Sequence, residues 1–71
     1  MFVLEPMPII GRRVHELRIP DHDLTWRVIY RLDPEAVVIV NVFEKKTTQT
    51  PPHIVAVSQQ RLRGYDEVIR E

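Results

Sequence analysis

Basic side chains recur at regular points within three apolar stretches of this chain. The stretches are His15–Ile19, Trp26–Arg31 and Val42–Thr47, and the first two carry Arg18 and Arg27. Because successive side chains of a strand leave opposite faces, this alternation predicts a sheet with one apolar face and one cationic face. Arg18 and Arg27 lie on neighbouring predicted strands, so their planar guanidinium groups can converge on one phosphate. A face of this kind suits a polyanion, and RNA is the natural candidate.

Histidine ionises near neutral pH, so it can supply or accept the protons that RNA cleavage requires. The sequence holds three, His15, His22 and His53. His15 shares a predicted strand face with apolar residues, which favours a half-buried structural imidazole. His22 lies in a predicted turn, where water surrounds it. His53 falls in the first turn of a predicted helix and is the candidate catalytic histidine.

Several of the same residues also have a purely structural interpretation. Arg31 is expected on an exposed polar face, and Trp26 and Tyr30 are expected in the core. If Trp26 is exposed instead, its ring could stack on a base. No metal site is predicted, because the candidate ligands of Asp21–Asp23 share one turn and nothing elsewhere completes a coordination sphere. No cofactor is predicted either.

Length and composition limit the class of protein. The chain has 71 residues, 44% of them hydrophobic, 28% charged and none of them cysteine. These values indicate a single small globular domain, 1–71, without disulfides or thiolate zinc sites. No apolar run approaches the ~20 residues of a membrane span, and Met1–Ile10 lacks the basic start of a signal peptide, so a cytoplasmic protein without membrane contact is predicted. The net charge of zero counts against a dedicated nucleic-acid binder, although a local basic face can attract a polyanion on a neutral protein.

The elements that must position the basic residues are three strands followed by one helix, an α+β fold with a mainly antiparallel sheet. Residues 1–12, which include two closely spaced prolines, are expected to form an extended entry segment. The predicted strands are Val14–Ile19, Leu24–Leu32 and Ala36–Phe43. The third is apolar at nearly every position, which is typical of a central strand covered on both sides.

The predicted helix begins with Thr50 as N-cap and Pro51 at the first helical position. It ends at Gly64 or continues weakly through Ile69. Its expected apolar side consists of Ile54, Val55, Val57 and Leu62.

The ordered set of motifs resembles the RelE/HigB/ParE toxin superfamily, most closely its phage-derived HigB-like branch. The motifs are Met7-Pro8, Gly11, His15–Ile19, Trp26–Tyr30, Val42–Thr47 and Thr50-Pro51, followed by a short arginine-rich helix. The resemblance implies a small RelE-like antiparallel sheet. It also implies the toxin of a type II toxin–antitoxin module, whose partners are messenger RNA on the ribosome and a cognate antitoxin, typically of the helix-turn-helix type.

The resemblance also implies a set of site residues. Arg27 matches the arginine of the family's aromatic–arginine pair on the second strand, and Arg18 matches the arginine that ends the preceding strand. Lys46, together with Lys45, matches the basic position after the last strand. The tyrosine that many members place near the final helix has no clear counterpart, and His53 is the nearest ionisable group.

Family members usually place two helices before these strands, and this chain begins after them, so it looks like the C-terminal part of such a toxin. Only the final helix would then cover the apolar face that holds Leu24, Trp26, Val28, Tyr30 and Leu32. Because large exposed apolar patches usually mark interfaces, a homodimer or higher assembly is predicted.

Three functions remain open. The first is a metal-independent, ribosome-dependent messenger-RNA endonuclease, in which Arg18, Arg27 and Lys46 bind phosphate and stabilise charge. The second is a truncated, non-catalytic relative that binds an antitoxin or its own copy. The third is a ParE-like inhibitor of gyrase, which would cause DNA damage and leave transcripts intact.

Overall fold

A computed structural model describes residues 2–45 and 49–70 of the chain. The elements are β1 (Val3–Pro6), β2 (Val14–Asp21), β3 (Leu24–Leu32), β4 (Val37–Lys45) and α1 (Pro52–Ile69). The strands form one antiparallel sheet in the order β1-β2-β3-β4. The predicted α+β class and the C-terminal helix are confirmed, but the sheet has four strands and not three. No helix of the described residues is long and apolar enough to cross a membrane.

The fourth strand lies in the entry segment, which the prolines had marked as extended. β1 pairs with β2 so that Val3 is opposite Arg18 and Pro6 is opposite His15. An edge strand tolerates Pro6 because the N–H that proline lacks can face away from the ladder. The segment then turns back, with the Met7 amide donating to the Val14 carbonyl at 2.8 Å.

A bulge determines which residues of β4 face each side of the sheet. Ile29 pairs with Asn41 and Tyr30 pairs with Ile39, so Val40 is the extra residue. The Val40 side chain is buried in the core, and its carbonyl accepts a hydrogen bond from Arg61 Nη1 at 2.9 Å. A bulge of this kind reverses the alternation along the strand, which simple period-two counting cannot anticipate.

Helix α1 packs on the face of the sheet that carries the arginines, which we call the covered face. The buried core consists of Ile10, Val14, Ile29, Val40 and Leu62, with Met7, Val38, Phe43, Ile54 and Val55 packed against it. The expectation that the helix covers the opposite face is therefore wrong. Ile29 explains the outcome, because it is the apolar residue between Arg27 and Arg31 and it is fully buried beneath the helix.

The opposite face, which we call the uncovered face, carries apolar side chains from all four strands. Its exposed apolar members are Leu4, Trp26, Leu32, Val37, Ile39 and Val42. Trp26 is 38% exposed, so its assignment to the core is wrong, whereas Tyr30 is half-buried and stacks on His15 with 5.7 Å between ring centroids. β4 is also an edge strand of the described sheet and not a central one, because only β3 pairs with it.

The helix begins one residue later than the sequence predicts. Pro51 is the N-cap, Pro52 is the first helical residue, and no side chain caps the N-terminus. Thr50 does not cap the helix because its hydroxyl donates instead to a carboxylate of the sheet. At the other end the helix continues through Gly64 to Ile69, the longer of the two predicted alternatives.

Candidate nucleic-acid site on the covered face

Arg18 and Arg27 lie directly opposite each other on β2 and β3. Paired residues of neighbouring strands project from the same face, so both side chains lie on the covered face. The Arg18 side chain is 20% exposed and that of Arg27 is 2% exposed. Arg18 is therefore the cation of the pair that a ligand in solution reaches first, and Arg27 is almost fully buried.

A buried carboxylate joins the two arginines. Glu16 Oε1 accepts a hydrogen bond from Arg18 Nε at 2.9 Å and one from Arg27 Nη1 at 3.4 Å. Glu16 Oε2 accepts one from the Thr50 hydroxyl at 2.9 Å, and the Glu16 side chain is fully buried. On its outer side Arg18 Nη2 also donates to Glu5 Oε2 at 2.9 Å. We call these residues the Glu16 cluster.

Charge-assisted hydrogen bonds of this length fix a guanidinium group in place. Because Glu16 is held by two arginines and a hydroxyl, the positions of Arg18 and Arg27 depend on one another. The arrangement presents two preoriented cations, of which the outer one is bonded to the exposed carboxylate of Glu5. An anion that displaced Glu5 would meet a guanidinium already oriented by Glu16.

The exposed side of Arg18 opens onto a cleft of about 330 Å³, which we call the Arg18 cleft. Its walls are the turn after β1 and the segment that leads into α1. The lining residues are Glu5, Met7, Ile9, Arg18, Gln49, Thr50 and Val55. Polar groups converge here on an open surface, as a phosphate or ribose would require.

The structure does not bring all of the predicted site residues together. Lys45 ends β4, where its backbone pairs with Thr25, and Lys46 lies outside the described residues. His53 is exposed in the first turn of α1. Within the part of the chain that the structure describes, His53 makes no ion pair or side-chain hydrogen bond.

A second cluster of charges lies at the other end of the covered face. Arg31 Nε and Nη2 donate to Asp33 at 2.7 and 2.9 Å, and Arg31 Nη1 and Nη2 donate to Asp66 at 3.0 and 2.7 Å. The guanidinium also lies 5.8 Å from the centre of the Tyr65 ring. We call these residues the Arg31 cluster. The expectation of an exposed Arg31 is wrong, because two carboxylates hold its side chain beneath the helix with 9% exposure.

The Arg31 cluster changes the acidity of its members. Hydrogen bonds from Arg31 hold the pKa values of Asp33 and Asp66 below the ordinary range of an aspartate. The same bonds to Asp66 and Asp33 raise the pKa of Arg31 further above its already high value. All three groups are therefore charged at neutral pH, and Asp66 ties the C-terminal half of α1 to β3.

The other two histidines take the structural places that the sequence predicts. His15 is half-buried on the uncovered face against Tyr30, and His22 lies in the exposed β2–β3 turn with a φ of 52°. Among residues 2–45 and 49–70, no group of three or more histidine, aspartate or glutamate side chains could hold a metal ion.

The sequence interpretation missed Glu16 and Thr50. The available signal for Glu16 was its spacing, since it lies two residues before Arg18 and therefore on the same strand face. An opposite charge at that spacing indicates an ion pair within the sheet. Thr50 gave no such signal, because a threonine before two prolines is typical of a helix cap.

A protein-family model matches most of the chain. The model of the family described as phage-derived protein Gp49-like (DUF891) matches residues 4–63, which include the four strands except the first residue of β1 and most of α1. No curated protein and no solved structure matches the chain. The matched segment includes both arginines of the Glu16 cluster. The chain therefore belongs to the Gp49-like family of phage-derived proteins, a RelE/HigB-like toxin family.

Proposed function

We propose that this protein is the toxin of a type II toxin–antitoxin module and that it cleaves messenger RNA. The observation that carries the proposal is the Glu16 cluster, in which two arginines on neighbouring strands share one buried carboxylate. Membership of a RelE/HigB-like family supports the toxin role. The Arg18 cleft gives a phosphate access to the outer arginine.

The proposed reaction is a transesterification within the RNA. The ribose 2′-oxygen attacks the adjacent phosphorus, the bond from phosphorus to the 5′-oxygen breaks, and a 2′,3′-cyclic phosphate and a 5′-hydroxyl form. The proton of the 2′-hydroxyl passes to a base, and a proton is delivered to the leaving 5′-oxygen. The reaction needs positive charge around the phosphorane, and fixed guanidinium groups supply it without reorganising during the step.

Each residue has a distinct role in this proposal. Arg18 contacts the scissile phosphate after displacing Glu5, and Arg27 adds fixed positive charge behind it. Glu16 is a positioning residue, because it is fully buried and orients both guanidinium groups. By family resemblance Lys46 adds a further cation, and His53 is the proposed proton donor.

The test is to express each protein in cells and to map the transcripts, in the presence of ribosomes. The proteins are the wild type, the single variant Arg18→Gln, and the double variant Arg27→Ala with Lys46→Ala. We expect growth arrest and cleaved transcripts from the wild type. Removal of a charge that stabilises the transition state typically lowers the rate by about 100- to 1000-fold. Arg70→Gln is the matched control, since Arg70 is an exposed arginine at the end of α1. A folded wild type that leaves transcripts intact would contradict the nuclease, and DNA damage with intact transcripts would indicate gyrase inhibition.

A second candidate function is a non-catalytic binding module, and the uncovered face favours it. The four strands contain 4, 8, 9 and 9 residues, and at about 3.3 Å per residue and about 4.8 Å between strands one face of the sheet spans about 475 Å². This is within the range of the apolar patches that monomers expose, about 300 to 600 Å², and below the about 800 Å² per partner of a standard interface. We infer that the chain self-associates through this face with moderate affinity. This association would replace antitoxin binding or occur together with it.

Sedimentation of the purified chain at micromolar concentration tests the self-association. Ile39→Lys with Val42→Lys places two charges on the uncovered face and is expected to give a monomer. Val68→Lys is the control, because Val68 is equally apolar and exposed but lies on α1. A wild-type monomer under these conditions would remove the proposed homo-oligomer.

A further inference from the structure

The covered face ends in a second cleft that the Glu16 cluster does not use. It has a volume of about 450 Å³ and lies between the turn that follows β1 and the outer half of α1. We call it the Arg12–Arg63 cleft. Four of its lining residues are arginines, namely Arg12, Arg13, Arg31 and Arg63, with Asp66 as the acidic residue among them.

These arginines are not equivalent. Arg31 uses four of its five N–H donors on Asp33 and Asp66, and Arg13 lies 3.7 Å from Asp33. Arg12 and Arg63 are exposed, and within residues 2–45 and 49–70 neither makes an ion pair or a side-chain hydrogen bond. The cleft therefore has two cations whose donors are available to a ligand, on a chain whose net charge is zero.

The backbone beside this cleft is held in an unusual conformation. Arg13 has a φ of 61°, in the left-handed region that side chains other than glycine rarely adopt. Its carbonyl accepts the Leu32 amide at 3.0 Å, which ties the turn to the end of β3. Strain of this kind persists where the surrounding structure enforces it, often at ligand sites.

The two clefts share one wall. Ile9 lines the Arg18 cleft, and Ile10 lines the Arg12–Arg63 cleft. Gln59 Nε2 of α1 donates to the Ile9 carbonyl at 2.7 Å and so holds the turn against the helix between the two openings. Arg18 lines one cleft and Arg31 the other. Because Arg18 is opposite Arg27, four residues from Arg31 along β3, these two positions are about 13 Å apart at about 3.3 Å per residue. Stacked nucleotides that advance about 3.4 Å each cover that distance in about four steps.

We propose that the Arg12–Arg63 cleft binds a backbone phosphate of the same RNA strand whose scissile phosphate lies at Arg18. This inference rests on the proposed function and adds a second anion site about four nucleotides away. Arg12 and Arg63 are its phosphate ligands, because a guanidinium fork matches two phosphate oxygens. Arg31 and Asp66 form the fixed wall of the site.

The test uses 2′-O-methyl RNA, which lacks the attacking hydroxyl, in lengths of three and eight nucleotides. The proteins are the wild type, the double variant Arg12→Gln with Arg63→Gln, and Arg70→Gln, a control that removes one exposed positive charge outside the cleft. We expect the double variant to bind the 8-mer with an affinity lower than that of the wild type by about 10-fold or more, and to bind the 3-mer with the affinity of the wild type. The slope of the logarithm of the binding constant against the logarithm of the salt concentration should become less steep by about 0.7 for each lost phosphate contact, the value for single strands.

Two results would overturn the proposal while leaving the nuclease intact. One is equal 8-mer affinity and equal salt dependence in the double variant and the wild type. The other is an equal loss for the 3-mer and the 8-mer, which would place both arginines at the scissile phosphate.

If the wild type binds neither RNA, the second RNA site is overturned, whereas the nuclease is still decided by the transcript mapping described above. Titration with inorganic phosphate then examines the cleft alone by the amide resonances of Gly11 and Leu62, which line it. Unchanged resonances would show that the cleft holds no anion. Resonances that shift in the wild type and not in the double variant would support an anion site but overturn its assignment to RNA, in favour of an acidic protein segment.

Discussion

The Glu16 cluster and the Arg31 cluster use the same chemistry in opposite arrangements. In the Glu16 cluster the carboxylate is fully buried and the outer arginine, Arg18, reaches the surface. In the Arg31 cluster the arginine is buried and the carboxylate of Asp66 is 37% exposed. The first arrangement leaves the outer end of an arginine at the surface, bonded to the exposed carboxylate of Glu5, and the second uses four of the five guanidinium N–H donors of Arg31 on two carboxylates. Of the two arginines, Arg18 is therefore the binding candidate, because an anion can displace the exposed Glu5 carboxylate without disturbing the buried Glu16.

The largest expected effect comes from Glu16→Gln. Glu16 compensates the charge of Arg27, which is 2% exposed, and removal of one partner of a buried ion pair destabilises a protein by about 3 to 5 kcal/mol. Small domains have a free energy of unfolding of about 5 kcal/mol or somewhat more, so most of the stability should be lost. Urea denaturation measures the change. Glu35→Gln, in the exposed β3–β4 connection, is the matched control and should leave the midpoint unchanged.

Arg31→Gln should have the next largest effect. It removes the hydrogen bonds that join β3 to Asp66 on α1. Because Asp66 is partly exposed, water compensates some of the lost hydrogen bonding. We therefore expect the free energy of unfolding to fall by about 2 kcal/mol, less than for a fully buried ion pair. For a domain of this size that corresponds to a melting temperature lower by about 8 to 16 °C. If the change were below 0.5 kcal/mol (about the scatter of surface substitutions), the Arg31 cluster would not hold the helix to the sheet.

The sequence predicted which arginines of the two clusters share a strand face but not which groups they contact. The reason is that strand alternation gives the face of a side chain and not its partners. Alternation correctly placed Arg18, Arg27 and Arg31 on one face of the sheet. It could not tell that this face is the covered one, because the decision depends on Ile29 and on helix packing across a long sequence separation. The partners of Arg31 illustrate the limit, since Asp66 lies 35 residues away. The bulge at Val40 is a further local feature that leaves no signal in a uniformly apolar strand.

The substitution Asp66→Asn isolates the contribution of the Arg31 cluster to the stability of the protein in acid. The pKa of Asp66 is lower in the folded chain than in the unfolded chain, so the unfolded state binds more protons and stability rises with pH. The contribution is complete above the unfolded value of about 4 and is lost as the pH falls through the lower folded pKa. We expect urea midpoints measured from pH 6 to pH 3 to fall less in Asp66→Asn than in the wild type.

The control for the acid series is Asp23→Asn, an exposed aspartate of the β2–β3 turn. Its pH profile should follow that of the wild type. Parallel profiles for the wild type and Asp66→Asn would mean that acid destabilises the protein through groups other than Asp66.

Gly64→Ala should give the smallest effect and the opposite sign. Gly64 lies within α1, and a Cβ added there meets no atom within 4 Å. Alanine in the interior of a helix is favoured over glycine by about 1 kcal/mol, so the variant should be more stable by about 0.5 to 1 kcal/mol. The gain requires residues beyond Gly64 to be helical in the folded state, and the bond from Arg31 to Asp66 is what docks them. In an Arg31→Gln background the gain should therefore shrink, a coupling that a double-mutant cycle measures. An unchanged gain would mean that the end of α1 forms without the Arg31 cluster.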